Sequence, residues 1–183
     1  ILDGSIRSGK TIASLLALLA WLPTAPAGPI AIIGRTRETI LRNILDVIRQ
    51  IHPDAIQPWT KGTTTARIMG REVHLIGVND ARSEEKVRGL TLAGAYVDEV
   101  TLLQRAFFVQ LLGRLSVSGS RLFGTTNPDS PQHWLKVDYL DRAEALGWRV
   151  WHFVMADNPG LTEEYKAAKA AEFTGLFYRR FIL

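Results

Sequence analysis

Near the start of the chain, Gly4-Ser5-Ile6-Arg7-Ser8-Gly9-Lys10-Thr11 has the residue types and the spacing that bind phosphate. It follows the P-loop pattern of Gly, four free positions, then Gly-Lys-Ser/Thr. The two glycines let the backbone turn tightly and bring its N–H groups against phosphate oxygens. Lys10 supplies a point charge to the β- and γ-phosphates of a nucleotide such as ATP, and the Thr11 hydroxyl ligates Mg²⁺. A helix is predicted from about Lys10, so that its positive dipole end also faces the anion.

Two later stretches carry matching chemistry. The apolar run 92–97 ends at Asp98-Glu99 and has the shape of a Walker B strand. Asp98 emerging beside Thr11 can hold Mg²⁺ through water, and Glu99 can polarise water for attack on a γ-phosphate. A second predicted strand, 121–125, stops at Thr125-Thr126-Asn127-Pro128. Hydroxyl and amide groups there can bond the γ-phosphate or the attacking water, and so report hydrolysis. Phosphoryl transfer spreads negative charge over oxygens, so arginines matter. Arg7 lies inside the loop, where it acts in cis or holds a neighbouring segment. Arg88, in Lys86-Val87-Arg88-Gly89-Leu90, precedes the Walker B strand and can reach a nucleotide on an adjacent subunit.

These motifs need strands and helices to position them. Ile1-Leu2 reads as the end of a buried strand that enters the loop, and 11–21 is an apolar helix-prone run. Residues 23–29, with three prolines, form a loop, and 29–34 is a buried parallel strand. Thr36 is a candidate N-cap for a helix that buries Ile40, Ile44, Val47, Ile48 and Ile51, with Arg42, Asp46 and Arg49 on its other face. Residues 63–69 and 72–76 read as a β-hairpin turning at Gly70-Arg71, and 79–88 as a polar loop or short helix. Helices are predicted over 101–115, with Leu102, Ala106, Phe107, Leu111 and Leu115 inward, over 132–146, and over 162–173 with Thr162 as cap. The run 148–155, apolar on both faces, is predicted as a central strand. Strands alternating with helices predict an α/β fold of the P-loop NTPase type: a mostly parallel sheet covered by helices on both faces, plus a β-hairpin insertion. Ligands of such sheets bind at the carboxyl ends of the strands, where all three motifs fall.

Length and composition bound the rest. The 183 residues suit one domain with a real core, and a net charge of +4 permits an anionic partner without requiring one. Cysteine is absent, which excludes disulfides, zinc–thiolate sites and thiol catalysis. His52, His74, His133 and His152 are scattered without ligand spacing. No apolar run reaches the ~18–20 residues that span a bilayer, and no secretory leader is recognisable, so no membrane association and a cytosolic setting are expected. The chain begins without Met and ends in mid-pattern at 179–183, so it reads as the interior of a longer protein.

Together, GSIRSGKT (4–11), EKVRGLTLAGAYVDEV (85–100), GTTNPD (124–129) and DNPGLTEEY (157–165) resemble the ATPase domain of the large terminase subunit of tailed bacteriophages. The resemblance covers almost the whole chain. It implies a motor that uses ATP and Mg²⁺ to drive double-stranded DNA into a preformed capsid, in the cytoplasm of an infected bacterial host. It implies a homo-oligomeric ring on the procapsid, with the portal protein and the small terminase subunit as partners. Lys10 and Thr11 then bind phosphate and Mg²⁺, Asp98 is the Walker B acid, Glu99 the catalytic base, and Thr125, Thr126 and Asn127 the coupling motif. Arg88 matches the trans-acting arginine finger. An adenine-holding segment before residue 1 and a nuclease domain after residue 183 are expected outside this chain, so no nuclease activity is assigned to it. A helicase- or recombinase-like DNA-dependent ATPase is the alternative, since it shares the sheet and the Asp-Glu pair. A small-molecule kinase would not need a water-polarising Glu after Asp98.

Overall fold

The run Ile30–Gly34 (β2) is buried at every position, as a central parallel strand must be. Its alternating side chains feed two cores. Ile30 and Ile32 pack on one face of a sheet with Leu15, Leu18, Ile40, Ile44, Ile48 and Tyr96. Ala31 and Ile33 pack on the other with Ala95, Val97, Phe107, Phe108 and Leu111. Each large aliphatic side chain among them contributes about 1.5–3 kcal/mol on burial.

The computed structural model describes residues 1–58, 60, 62–79, 81–175 and 178, and shows one seven-stranded sheet. Its strands are Leu2–Gly4 (β1), β2, Thr65–Ile68 (β3), Arg71–Gly77 (β4), Gly94–Val97 (β5), Arg121–Thr126 (β6) and Trp151–Phe153 (β7). They lie in the order β3-β4-β2-β5-β6-β1-β7, and every pairing is parallel except β3 with β4. Helices Lys10–Trp21 (α1), Arg37–Ile40 (α2) and Asp46–Ile51 (α3) supply the first core, and Arg105–Arg114 (α4) the second. Glu163–Glu172 (α5) starts, as expected, at Thr162, whose hydroxyl accepts from the Tyr165 N–H. Thr36 caps α2 in the same way, accepting from Thr39 N–H.

The structure corrects several local expectations. The hairpin turns at Met69-Gly70, because Ile68 pairs with Arg71 and both turn residues have positive φ (49° and 77°). This is the two-residue geometry whose twist suits a hairpin. The hairpin is joined to the sheet, since β4 pairs with β2 over five positions. Residues 148–155 do not form a central strand. β7 pairs only with β1 among the described strands, and Trp151 is half exposed. Helix α4 begins at Arg105, after a separate turn at Val100–Leu102, which leaves Leu102 and Ala106 exposed. The predicted helix 132–146 is a short helical start at 134–135 that runs into a π turn, Lys136–Leu140, and is followed by turns. Trp134 and Tyr139 both pack on Phe108. Five residues apart on an α-helix, they would point about 140° apart. Residues 179–183, read as a mid-pattern end, lie outside the described residues.

One glycine is demanded by the sheet itself. Gly4 has φ +142°, and a Cβ there would sit 1.8 Å from the Phe153 carbonyl oxygen. Gly4→Ala must therefore push β7 from β1 or refold the loop's first turn. The expected cost is about 3 kcal/mol or more, a fall in melting temperature of roughly 6–12 °C. Thermal unfolding followed by circular dichroism checks this, and an unchanged melting temperature would contradict the close approach.

Candidate nucleotide-phosphate site

β1 ends in the loop 5–9, and α1 starts at its far side. Within the loop Arg7 takes φ 52° and Gly9 φ 90°, conformations that turn successive N–H groups to one concave side. Gly9 is the residue before α1, and no side chain among the described residues caps that helix, so its first N–H groups remain for an anion. Ser5 is fully buried, and its hydroxyl has no partner among the described residues. Gly4 and Ser5 back the loop. Ile6, Arg7, Ser8, Gly9, Lys10 and Thr11 line a cleft of about 650 Å³.

Lys10 is buried. Its ammonium donates to the carbonyls of Gly4 (2.9 Å) and Ser5, to Ser8 Oγ (3.2 Å) and to Asn127 Oδ1 (3.1 Å). Burial pulls its pKa down to about 8, against the opposing pull of Asp3 and Glu99. The lysine is thus turned onto its own loop rather than out toward the cleft mouth.

The other two motifs meet it because of strand order. β6 lies between β5 and β1, and its register sets Thr125 opposite Leu2 and Gly124 opposite Val97. Asp98, just past β5, accepts from Thr125 Oγ1 at 3.2 Å (Oδ1) and from Asn43 Nδ2 at 3.4 Å (Oδ2). The Thr125 hydroxyl also accepts from the Glu99 N–H at 3.2 Å. Burial raises the pKa of both acids. Glu99 is raised further by Asp98 and lowered by Lys10 and Arg35. Glu99 adopts φ 53°, a left-handed conformation that costs a non-glycine residue of order 1–3 kcal/mol and clusters at active sites. Thr126 donates to Thr101 Oγ1 at 3.1 Å instead. The three residues of the Thr-Thr-Asn run therefore face three different ways: to the acids, to the turn after them, and to Lys10.

Asp98, Glu99, Thr125, Thr126 and Asn127 all line the cleft with the loop. Arg88 does not. It is exposed in the turn after Ala81–Lys86, its N–H bonded to the Glu84 carbonyl. Sequence reasoning missed other wall residues. Arg42 and Asn43 reach the cleft from the turn between α2 and α3, although helical spacing alone puts Arg42 on an outer face. Asn158 also lines it and donates to the Arg7 carbonyl at 2.6 Å, across 151 residues. The Arg7 guanidinium lies 5.8 Å from the ring centre of Tyr165, a cation–π distance. The Asp-Asn-Pro run is visible in the sequence, but nothing in it indicates that Asn158 holds the loop.

The donor set suits a hard divalent cation: one hydroxyl, Thr11, and one carboxylate, Asp98, both on the cleft wall. Mg²⁺ takes few protein oxygens and keeps several waters. Among the described residues there is no cluster of three or more His, Cys, Asp or Glu that could hold a metal on their own.

A parallel sheet with a phosphate-cradling loop, an acidic pair and a polar strand end converging on one cleft defines a P-loop NTPase. The chain belongs to the terminase large subunit family, for residues 1–175 match the family described as terminase large subunit, T4likevirus-type, N-terminal. The large terminase of a thermophilic bacteriophage is similar at TM-score 0.88 and 32% identity, over 100% of this chain and 47% of that one. The same thermophilic-phage protein in complex with ADP is similar at TM-score 0.86 and 32% identity, over 99% and 46%. The large terminase ATPase domain of Thermus phage P74-26 shares the fold at TM-score 0.68 and 15% identity, over 100% and 86%. The chain spans less than half the length of the thermophilic-phage chains it matches. No curated protein sequence matches it.

Proposed function

We propose that this chain is the ATP-hydrolysing motor domain of a terminase, and that it drives double-stranded viral DNA into a procapsid. The observation that supports this best is the convergence of Lys10, Thr11, Asp98, Glu99 and Asn127 on one cleft. The binding of ADP by the thermophilic-phage relative favours a nucleotide as the occupant.

In this reading the N–H groups of residues 6–10 hold the β- and γ-phosphates, and Lys10 exchanges its Asn127 and carbonyl partners for phosphate oxygens. Bound Mg²⁺, held by Thr11 and through water by Asp98, would neutralise charge on those phosphates. Glu99 takes a proton from the attacking water. The water oxygen bonds to the γ-phosphorus, the bond from that phosphorus to the bridging oxygen breaks, and ADP and phosphate leave. Burial makes Glu99 a stronger base than an exposed glutamate. Thr125 touches the Asp98 carboxylate and the Glu99 backbone N–H, and Asn127 touches Lys10, so this strand end can pass the state of the γ-phosphate to the sheet. Arg7 acts in cis, and Arg88 serves the cleft of a neighbouring subunit in a ring. The portal protein and the small terminase subunit are the proposed partners, the host cytoplasm the setting, and a nuclease domain the companion elsewhere in the full protein. Among the described residues no helix is long and apolar enough to cross a membrane.

The test is ATP turnover by the intact protein with and without linear duplex DNA. Stimulation by DNA and loss of turnover in Lys10→Ala are expected. Stimulation by a small phosphate acceptor instead would move the reading to a kinase. Undiminished hydrolysis by a folded Lys10→Ala protein would remove the nucleotide-site reading altogether.

A further inference from the structure

Helices α2 and α3 form one helical run joined by a π turn at Leu41–Leu45, where the Asp46 N–H reaches back five residues to the Leu41 carbonyl. Such turns are rare and concentrate at functional sites. This one stands against the cleft, which Arg42 and Asn43 both line. Asn43 is half-buried. Its Nδ2 donates to Asp98 Oδ2 at 3.4 Å, and its Oδ1 accepts from Arg42 Nε at 3.1 Å.

Chemistry leaves the Asn43 amide one orientation. A guanidinium only donates and a carboxylate only accepts, so the amide oxygen must face Arg42 and the NH₂ must face Asp98. Thr125 meanwhile donates to the other Asp98 oxygen. The carboxylate is therefore held at both oxygens, by the end of β6 on one side and by the π turn on the other. A carboxylate has about four lone-pair sites, so accepting two bonds leaves acceptor capacity facing the cleft.

We propose that Asn43 is a positioning residue for Asp98, holding that carboxylate in the orientation that receives the divalent cation of a nucleotide complex, and that Arg42 fixes the Asn43 amide. This rests on the reading of the cleft as a Mg²⁺–nucleotide site. Partners that orient a metal-binding side chain are worth about 10- to 100-fold in metal affinity.

The experiment is calorimetric binding of ATPγS to the intact protein, once with Mg²⁺ and once with EDTA. Asn43→Ala, and Asn43→Leu as a second variant that keeps bulk without the donor, are expected to weaken Mg²⁺-dependent binding about 10- to 100-fold. Binding in EDTA should be unchanged. Arg42→Ala should reproduce part of the loss, and Arg42→Lys, which keeps a donor, should recover some of it. A merely structural Asn43 would lower both kinds of binding together. That result, or no loss in Mg²⁺, overturns the inference while leaving the nucleotide site standing. Undiminished ATPγS binding by Lys10→Ala would instead overturn the site reading and this inference with it.

Discussion

Two inactive proteins, Arg88→Ala and Lys10→Ala, are expected to recover part of their ATP turnover when they are co-assembled. Arg88 is exposed and lies outside the cleft of its own chain. A finger that serves a neighbour must be so placed, because the charge it stabilises belongs to another subunit. The Arg88→Ala subunit keeps its own phosphate loop, and the Lys10→Ala subunit keeps the proposed finger. Mixed rings therefore contain interfaces at which an intact finger meets an intact loop. Arginine fingers contribute about 10³–10⁵-fold to turnover, so Arg88→Ala alone should fall by that order and the mixture should regain a readily measured fraction. Wild-type activity should also rise faster than linearly with protein concentration. No recovery in mixed rings shown to assemble would place the arginine role in cis, and Arg7, on the cleft wall, would then carry it.

Glu99→Gln should separate binding from chemistry. The amide preserves the shape of the side chain, and the backbone N–H that bonds Thr125 is untouched, so ATP and Mg²⁺ should still bind. The proposed base is gone, and turnover should fall by about 10²–10⁴-fold. Asp98→Ala should fail differently. It removes the acceptor of the Thr125 and Asn43 bonds, and should weaken the Mg²⁺ dependence of binding itself. Single-turnover hydrolysis and nucleotide affinity, measured side by side, distinguish the two. A Glu99→Gln protein that hydrolysed ATP at the wild-type rate would show that another group accepts the proton.

The acids also show what a sequence can and cannot carry. Asp98 and Glu99 were legible because a buried strand leaves a short apolar run, and the residues just after it must emerge at the sheet edge. That Thr125 would bridge them was not legible. It follows from β6 lying between β5 and β1, an order set by pairings between segments far apart in the chain. The left-handed backbone of Glu99 belongs to the same class, since no neighbouring residue type demands it.

By itself the sequence determined the elements whose rules are local. The glycine spacing of 4–11 marked the tight loop between β1 and α1, Thr36 and Thr162 marked two helix starts, and the run of 29–34 marked a strand buried on both faces. Tertiary structure alone decided the rest. Among the described strands β7 lies at the edge despite its apolar residues, because strand order depends on partners and not on composition. Helix 132–146 shortened to 134–140 with a π turn at its end, and Trp134 and Tyr139 both meet Phe108. Asn43 was drawn to Asp98 across 55 residues, and Asn158 to the Arg7 carbonyl across 151. Such contacts leave no period and no spacing in the chain. The hydrogen bonds that finish the cleft form only once the sheet has brought distant segments to one edge.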